Sequence, residues 1–118
     1  MKHLTWFGAA ALVIILNIPA QAHHSLAATY RLDEMQTIYG TVVQATFREP
    51  HPLIHVAVVD RDGITRRWSV EWDDAAGVAN EGVSPSTLRV GDRVRIAGHP
   101  GRNEETYRLL LVDISSGC

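Results

Sequence analysis

Two adjacent histidines, His23 and His24, directly follow the stretch Pro19-Ala20-Gln21-Ala22. Small residues at positions 20 and 22 are those a bacterial signal peptidase reads, so the expected cut falls between Ala22 and His23. Cutting there makes His23 the first residue. An α-amino group has a pKa near ~7.7–8.0, so a metal ion displaces its proton at neutral pH. The amine and the ring of His23 then close a chelate around Cu(II), an ion suited by nitrogen ligands in a flat array. A third nitrogen from a distant histidine completes a T-shaped, three-nitrogen histidine brace. Cutting one residue earlier gives Ala22-His23-His24, which chelates Cu(II) through amine, backbone amides and imidazole. Either processing leaves a copper-competent terminus.

His51 is the first choice for the distant nitrogen, because Pro50 and Pro52 stiffen the backbone on both sides of it. His55 follows four residues later in an apolar alternating run and is a further candidate, or a surface residue. The expected metal set is therefore His23, His24, His51 and His55. His99 lies in Gly98-His99-Pro100-Gly101 and reads as a turn residue. Met35 is a soft ligand type for Cu(I), but a lone Met is more often core filler. Glu49 and Glu71 are the nearest carboxylates. Glu71 reads as a cross-strand partner for arginine, with support of a ligating imidazole as its alternative role. Ser25, Ser69 and Ser84 have no His/Asp frame in sequence, and neither a phosphate-cradling glycine loop nor a zinc-type cysteine cluster is present. Cys118 is the only cysteine, so it forms no internal disulfide.

The leader begins with Lys2 and carries an apolar stretch from Trp6 to Leu16. That stretch is shorter than the ~20 residues of a membrane-spanning helix, so residues 1–22 read as a cleavable signal peptide without a lasting anchor. Export to a periplasm or beyond is the expectation. The remaining 23–118 suffice for one small domain with a thin core. Lys2 is the sole lysine, so this part carries ten arginines against thirteen acidic residues, a net of −3. That balance opposes nucleic acid as a partner, since affinity for it comes from a basic surface.

Residues 23–35 lack a period and read as an extended N-terminal arm ahead of a β domain at 36–118. The run Thr37–Phe47 is rich in β-branched and aromatic residues and predicts a strand, with Gly40 a bend or bulge. The two prolines flanking His51 break it. Leu53–Asp60 predicts a second strand and Asp62-Gly63 a hairpin turn. Trp68, Val70 and Trp72 alternate with Arg67, Ser69 and Glu71, a half-buried third strand in which the tryptophans serve as core aromatics. Asp74–Asn80 predicts one short helical turn. A fourth strand carries Val94 and Ile96 inward, 99–105 is a polar loop, and Tyr107–Ile114 is the last strand. Five short strands with a helical insert after the third predict an all-β fold, a five-stranded Greek-key barrel of oligonucleotide-binding (OB) type. A flattened sandwich is the competing arrangement.

The succession Ala22-His23-His24-Ser25, Tyr39-Gly40-Thr41-Val42, Glu49-Pro50-His51-Pro52, Trp68-Ser69-Val70-Glu71 and Leu88-x-x-Gly91-Asp92-x-Val94 resembles the exported bacterial family known as domain of unknown function 6152. The resemblance spans nearly all of the chain after the leader. It implies export and a small β domain, and names no reaction.

These observations lead to one functional expectation, an exported barrel that binds copper or another transition metal through its processed amino terminus, for binding, delivery or sensing rather than turnover. The competing expectation is a cell-envelope interaction module that takes a protein or small ligand on a barrel face or strand edge.

Overall fold

The computed structural model describes residues 26–47, 51–73, 79–80 and 83–117. Six strands follow one another: β1 Gln36–Thr46, β2 Leu53–Val59, β3 Thr65–Glu71, β4 Ala79–Asn80, β5 Arg93–Pro100 and β6 Arg108–Ser116. β1 pairs antiparallel with β2 along one part of its length and with β5 along the other. β2 pairs antiparallel with β3, and β5 with β6. A short parallel pairing of β3 with β6, Ser69 to Arg108 through Glu71 to Leu110, joins the ends of the sheet. The two-residue β4 only adds to the side of β6. The ring β1-β2-β3-β6-β5 is thus a five-stranded closed barrel of OB type, as the strand count and spacing predict.

Alternation explains the interior. Ile54 and Val56 on β2 face inward beside Val70 on β3, and Val94 and Ile96 on β5 meet Leu109, Leu111 and Ile114 on β6. All are buried. Each such side chain contributes about 1.5–3 kcal/mol on leaving water. Trp72 is buried directly after β3, whereas Trp68 is only partly buried and packs on the core from the barrel rim.

Three local expectations change. Gly40 is not the bend: the register shift in β1 lies between Val42 and Gln44, around Val43. Gly40 instead lets β1 approach β2, because a Cβ there would meet the Ala57 carbonyl and the Val56 side chain. The helical turn expected over 74–80 is not formed at its end, where Ala79 and Asn80 are strand β4; 74–78 lie outside the described residues. The 3₁₀ turns occur at Pro85–Thr87 and Glu104–Thr106. His99 and Pro100 are the last residues of β5, not part of a polar loop, since His99 pairs with Leu110 and Pro100 with Leu109.

The arm, over its described part, is docked. Residues 26–29 make one helical turn, and Tyr30 bridges to Gly101 and is buried. Arg31 N–H donates to the Pro100 carbonyl at 2.8 Å, and Arg102 N–H to the Thr29 carbonyl at 2.9 Å. Arg102 Nε donates to the Ala27 carbonyl at 2.6 Å. Among the described residues, no helix is long and apolar enough to cross a membrane.

Candidate functional site

His23 and His24 lie outside the described residues. Among the described residues, His51, His55 and His99 fall on three separate parts of the barrel. His51 sits between β1 and β2 with its side chain 42% exposed, and its Nδ1 lies 3.9 Å from Oδ1 of Asp73. Asp73 is the buried charged residue among those described, at 5% exposure. The ladder explains the meeting: Leu53 pairs with Glu71, and two residues outward on each strand stand His51 and Asp73. Glu49, one of the two carboxylates nearest in sequence, lies outside the described residues, and the carboxylate beside His51 is neither Glu49 nor Glu71 but Asp73. Extending the β2–β3 hairpin by two residues past Glu71 would have found it.

His55 lies on the outer face of β2, opposite Ser69 and beside Gln44. Its Nδ1 is 3.3 Å from Ser69 Oγ. Burial, and after it the charge of Arg67, lowers its pKa below the ordinary histidine range, so the ring is neutral at pH 7. Arg67 itself donates to Gln44 Oε1 across β2. Four residues separate His55 from His51, roughly 13 Å of extended chain. Among the described residues, no group of three or more His, Cys, Asp and Glu side chains is placed to hold a metal. Glu71 takes the role expected of it, with Oε1 3.9 Å from Arg108 Nη2 on β6.

His99 has one ring nitrogen fixed by the backbone of the arm. Its Nδ1 is 2.8 Å from the backbone carbonyl of Glu34, which only accepts. The Nδ1 therefore carries the proton, and a neutral ring keeps its lone pair on Nε2. A ring nitrogen anchored to a backbone carbonyl, with the other left as a donor, is the arrangement of metal-ligating histidines. The site is also beside the arm: Tyr30 pairs with Gly101, two residues beyond His99 on β5.

The described part of the arm lies beside His99. The arm joins β1 at Gln36, whereas His51 lies beyond Thr46 at the other end of this eleven-residue strand. Around the closed ring the path is shorter: Leu53 pairs with Glu71, Glu71 with Leu110 and Leu110 with His99, so the His51 end of β2 stands about three strand spacings, roughly 14 Å, from His99. Of the two, His99 is the one in contact with the described arm, through the Glu34 carbonyl. His99 lies on the order of 10 Å from the start of the docked arm, judged from strand rise.

At that same end of the barrel a cavity of about 270 Å³ opens between the arm, β3 and the β5–β6 loop. Trp68 and Tyr107 meet edge to face there, with ring centroids 5.5 Å apart. Arg66 stacks over Tyr107 and Arg108 over Tyr30. Tyr30 accepts from Arg108 Nη2 at 3.3 Å, and burial, followed by the charge of Glu71, raises its pKa.

The ring order, the parallel β3–β6 closure and the bulged first strand define this molecule as an OB-type barrel. The chain belongs to the family described as a family of unknown function, DUF6152, which matches residues 11–109. No curated protein matches it in sequence. Among solved structures, it is similar to the mitochondrial single-stranded DNA-binding protein Rim1 of S. cerevisiae, with TM-score 0.55 and 15% identity over 70% of this chain and 91% of that one. It is also similar to a small single-stranded DNA-binding protein from Streptomyces coelicolor, with TM-score 0.50 and 20% identity over 71% of this chain and 91% of that one. At such identities the likeness shows the shared barrel.

Proposed function

We propose that this protein is exported, is processed to begin at His23, and binds Cu(II) through its amino terminus, with His99 as the distant nitrogen. The amine and the His23 ring form the chelate, and His24 stands beside it. His99 Nε2 closes the site from β5. The observation that carries the reading is the docking of 26–31 next to a histidine whose Nδ1 is already committed to a backbone carbonyl. A chelating terminus on an anchored stem loses little freedom on binding, which favours affinity. The role is binding or delivery. His51, beside Asp73, is a separate imidazole in this scheme.

The single-stranded DNA bound by the structurally similar proteins is not part of the proposal. The whole chain carries a net charge of −2, which supplies no counterion-release drive toward phosphates.

An intact mass of the exported protein fixes its first residue. Protein starting at His23 is then compared with the same protein bearing one extra residue in front, by Cu(II) titration and EPR. The expected result is a distinct spectrum and tighter binding for the His23 start, weakened by His99→Ala and unchanged by His51→Ala. Equal affinities and spectra for the two starts would remove the amino-terminal chelate. Loss with His51→Ala but not His99→Ala would replace the distant ligand.

A further inference from the structure

The cavity between the arm, β3 and the β5–β6 loop has a lining chemistry that copper binding does not use. Two guanidinium groups line it, Arg31 and Arg108, as do two carboxylates, Glu34 and Glu104, and two aromatic rings, Trp68 and Tyr107. The charges cancel. Their mutual contacts are long: Arg31 Nη1 lies 3.6 Å from Glu34 and 3.5 Å from Glu104, and Arg108 lies 3.9 Å from Glu71. Charge-assisted hydrogen bonds close to about 2.7–2.9 Å, so donors and acceptors here are held near one another without being fully consumed. Glu104 is 82% exposed and free to turn toward a ligand. The volume, about 270 Å³, suits a molecule of metabolite size.

We propose that this cavity binds a free α-amino acid with an aromatic or large apolar side chain, taken as the zwitterion. The carboxylate is received by Arg31 and Arg108, in the manner guanidinium groups favour. The ammonium is received by Glu34 and Glu104. The side chain lies against Trp68 and Tyr107, where apolar burial supplies much of the affinity. A ligand with only one charge leaves one pair of lining residues without its counter-charge, and a charge-balanced lining selects against it.

The probes are L-phenylalanine, 3-phenylpropionate and 2-phenylethylamine, which share the phenylethyl skeleton and carry both charged groups, the carboxylate alone and the ammonium alone. Binding is read from the Trp68 indole N–H signal by NMR, with buried Trp72 as an internal reference. A chelator is present throughout, so the outcome is independent of copper. Phenylalanine is expected to bind at least about tenfold more tightly than either single-charge analogue, one charge-assisted contact being enough for that ratio. In the Glu34→Gln/Glu104→Gln variant, with its melting temperature confirming the fold, that advantage over 3-phenylpropionate should disappear. No saturable movement of Trp68, equal or reversed affinities among the three probes, or an unchanged preference in the double variant would each overturn the assignment.

Discussion

His55 and His99 show how a single ring's surroundings decide its chemistry. Both use Nδ1, but one meets the hydroxyl of Ser69 and the other a carbonyl oxygen. Only the second partner fixes the tautomer, because a hydroxyl both donates and accepts. His55 adds a pH dependence. Its folded-state pKa lies below the unfolded value, so the unfolded chain binds more protons between the two. The stability it contributes is complete above the ordinary histidine pKa of about 6.5 and is lost as pH falls from there through the folded value. NMR titration of the ring is expected to show a midpoint below 6.5, and Arg67→Gln should raise it by removing the second cause of the shift. A midpoint unmoved by Arg67→Gln would assign the whole effect to burial. Gly40 makes a steric case at the same scale. A methyl group there collides with backbone on β2, so Gly40→Ala should cost about 1–3 kcal/mol by the overpacking penalty, measured by urea unfolding.

The arm is the element on which the copper proposal rests, and it was the least legible in the sequence. Residues 23–35 have no hydrophobic period, and nothing local marks Tyr30 as a core residue. Its burial comes from Gly101 and Arg108, some seventy positions away, which no window along the chain detects. His99 was hidden for a related reason. Gly98-His99-Pro100-Gly101 has turn composition, yet pairing with Leu110 and Leu109 holds it as strand. By contrast, β1, β2, β3 and β6 were legible to within a few residues, because period-2 alternation records directly which side chains face the core. Removing the arm's anchor tests its docking. Tyr30→Ala should cost about 3–5 kcal/mol, the range for truncating a large buried aromatic. It should also expose 26–35 to a protease that leaves the intact protein uncut. A variant as resistant as the parent would mean that the hydrogen bonds made by Arg31, His99 and Arg102 hold the arm without the Tyr30 ring.

At the scale of the whole molecule, stability depends on a closure only three residue pairs long. Ser69, Val70 and Glu71 of β3 meet Arg108, Leu109 and Leu110 of β6, and without these contacts the sheet would be open along β3 and along the part of β6 that β4 does not cover. Leu109 carries this seam from inside. It is fully buried, opposite Val70 on one side and Pro100 on the other, so it touches both halves of the ring. Leu109→Ala should therefore lose about 2–5 kcal/mol, the cost of the lost transfer energy and the cavity left behind. A domain this small has a total margin of only about 5–15 kcal/mol, so the loss is a large share of it. The distribution of the effect is the sharper test. If the barrel is one cooperative unit, Leu109→Ala lowers amide-exchange protection in β1 and β2 as much as in β3 and β6, and denaturant unfolding remains a single transition. Loss of protection confined to β3 and β6, with β1, β2 and β5 still slow to exchange, would show that an open sheet is stable without its closure.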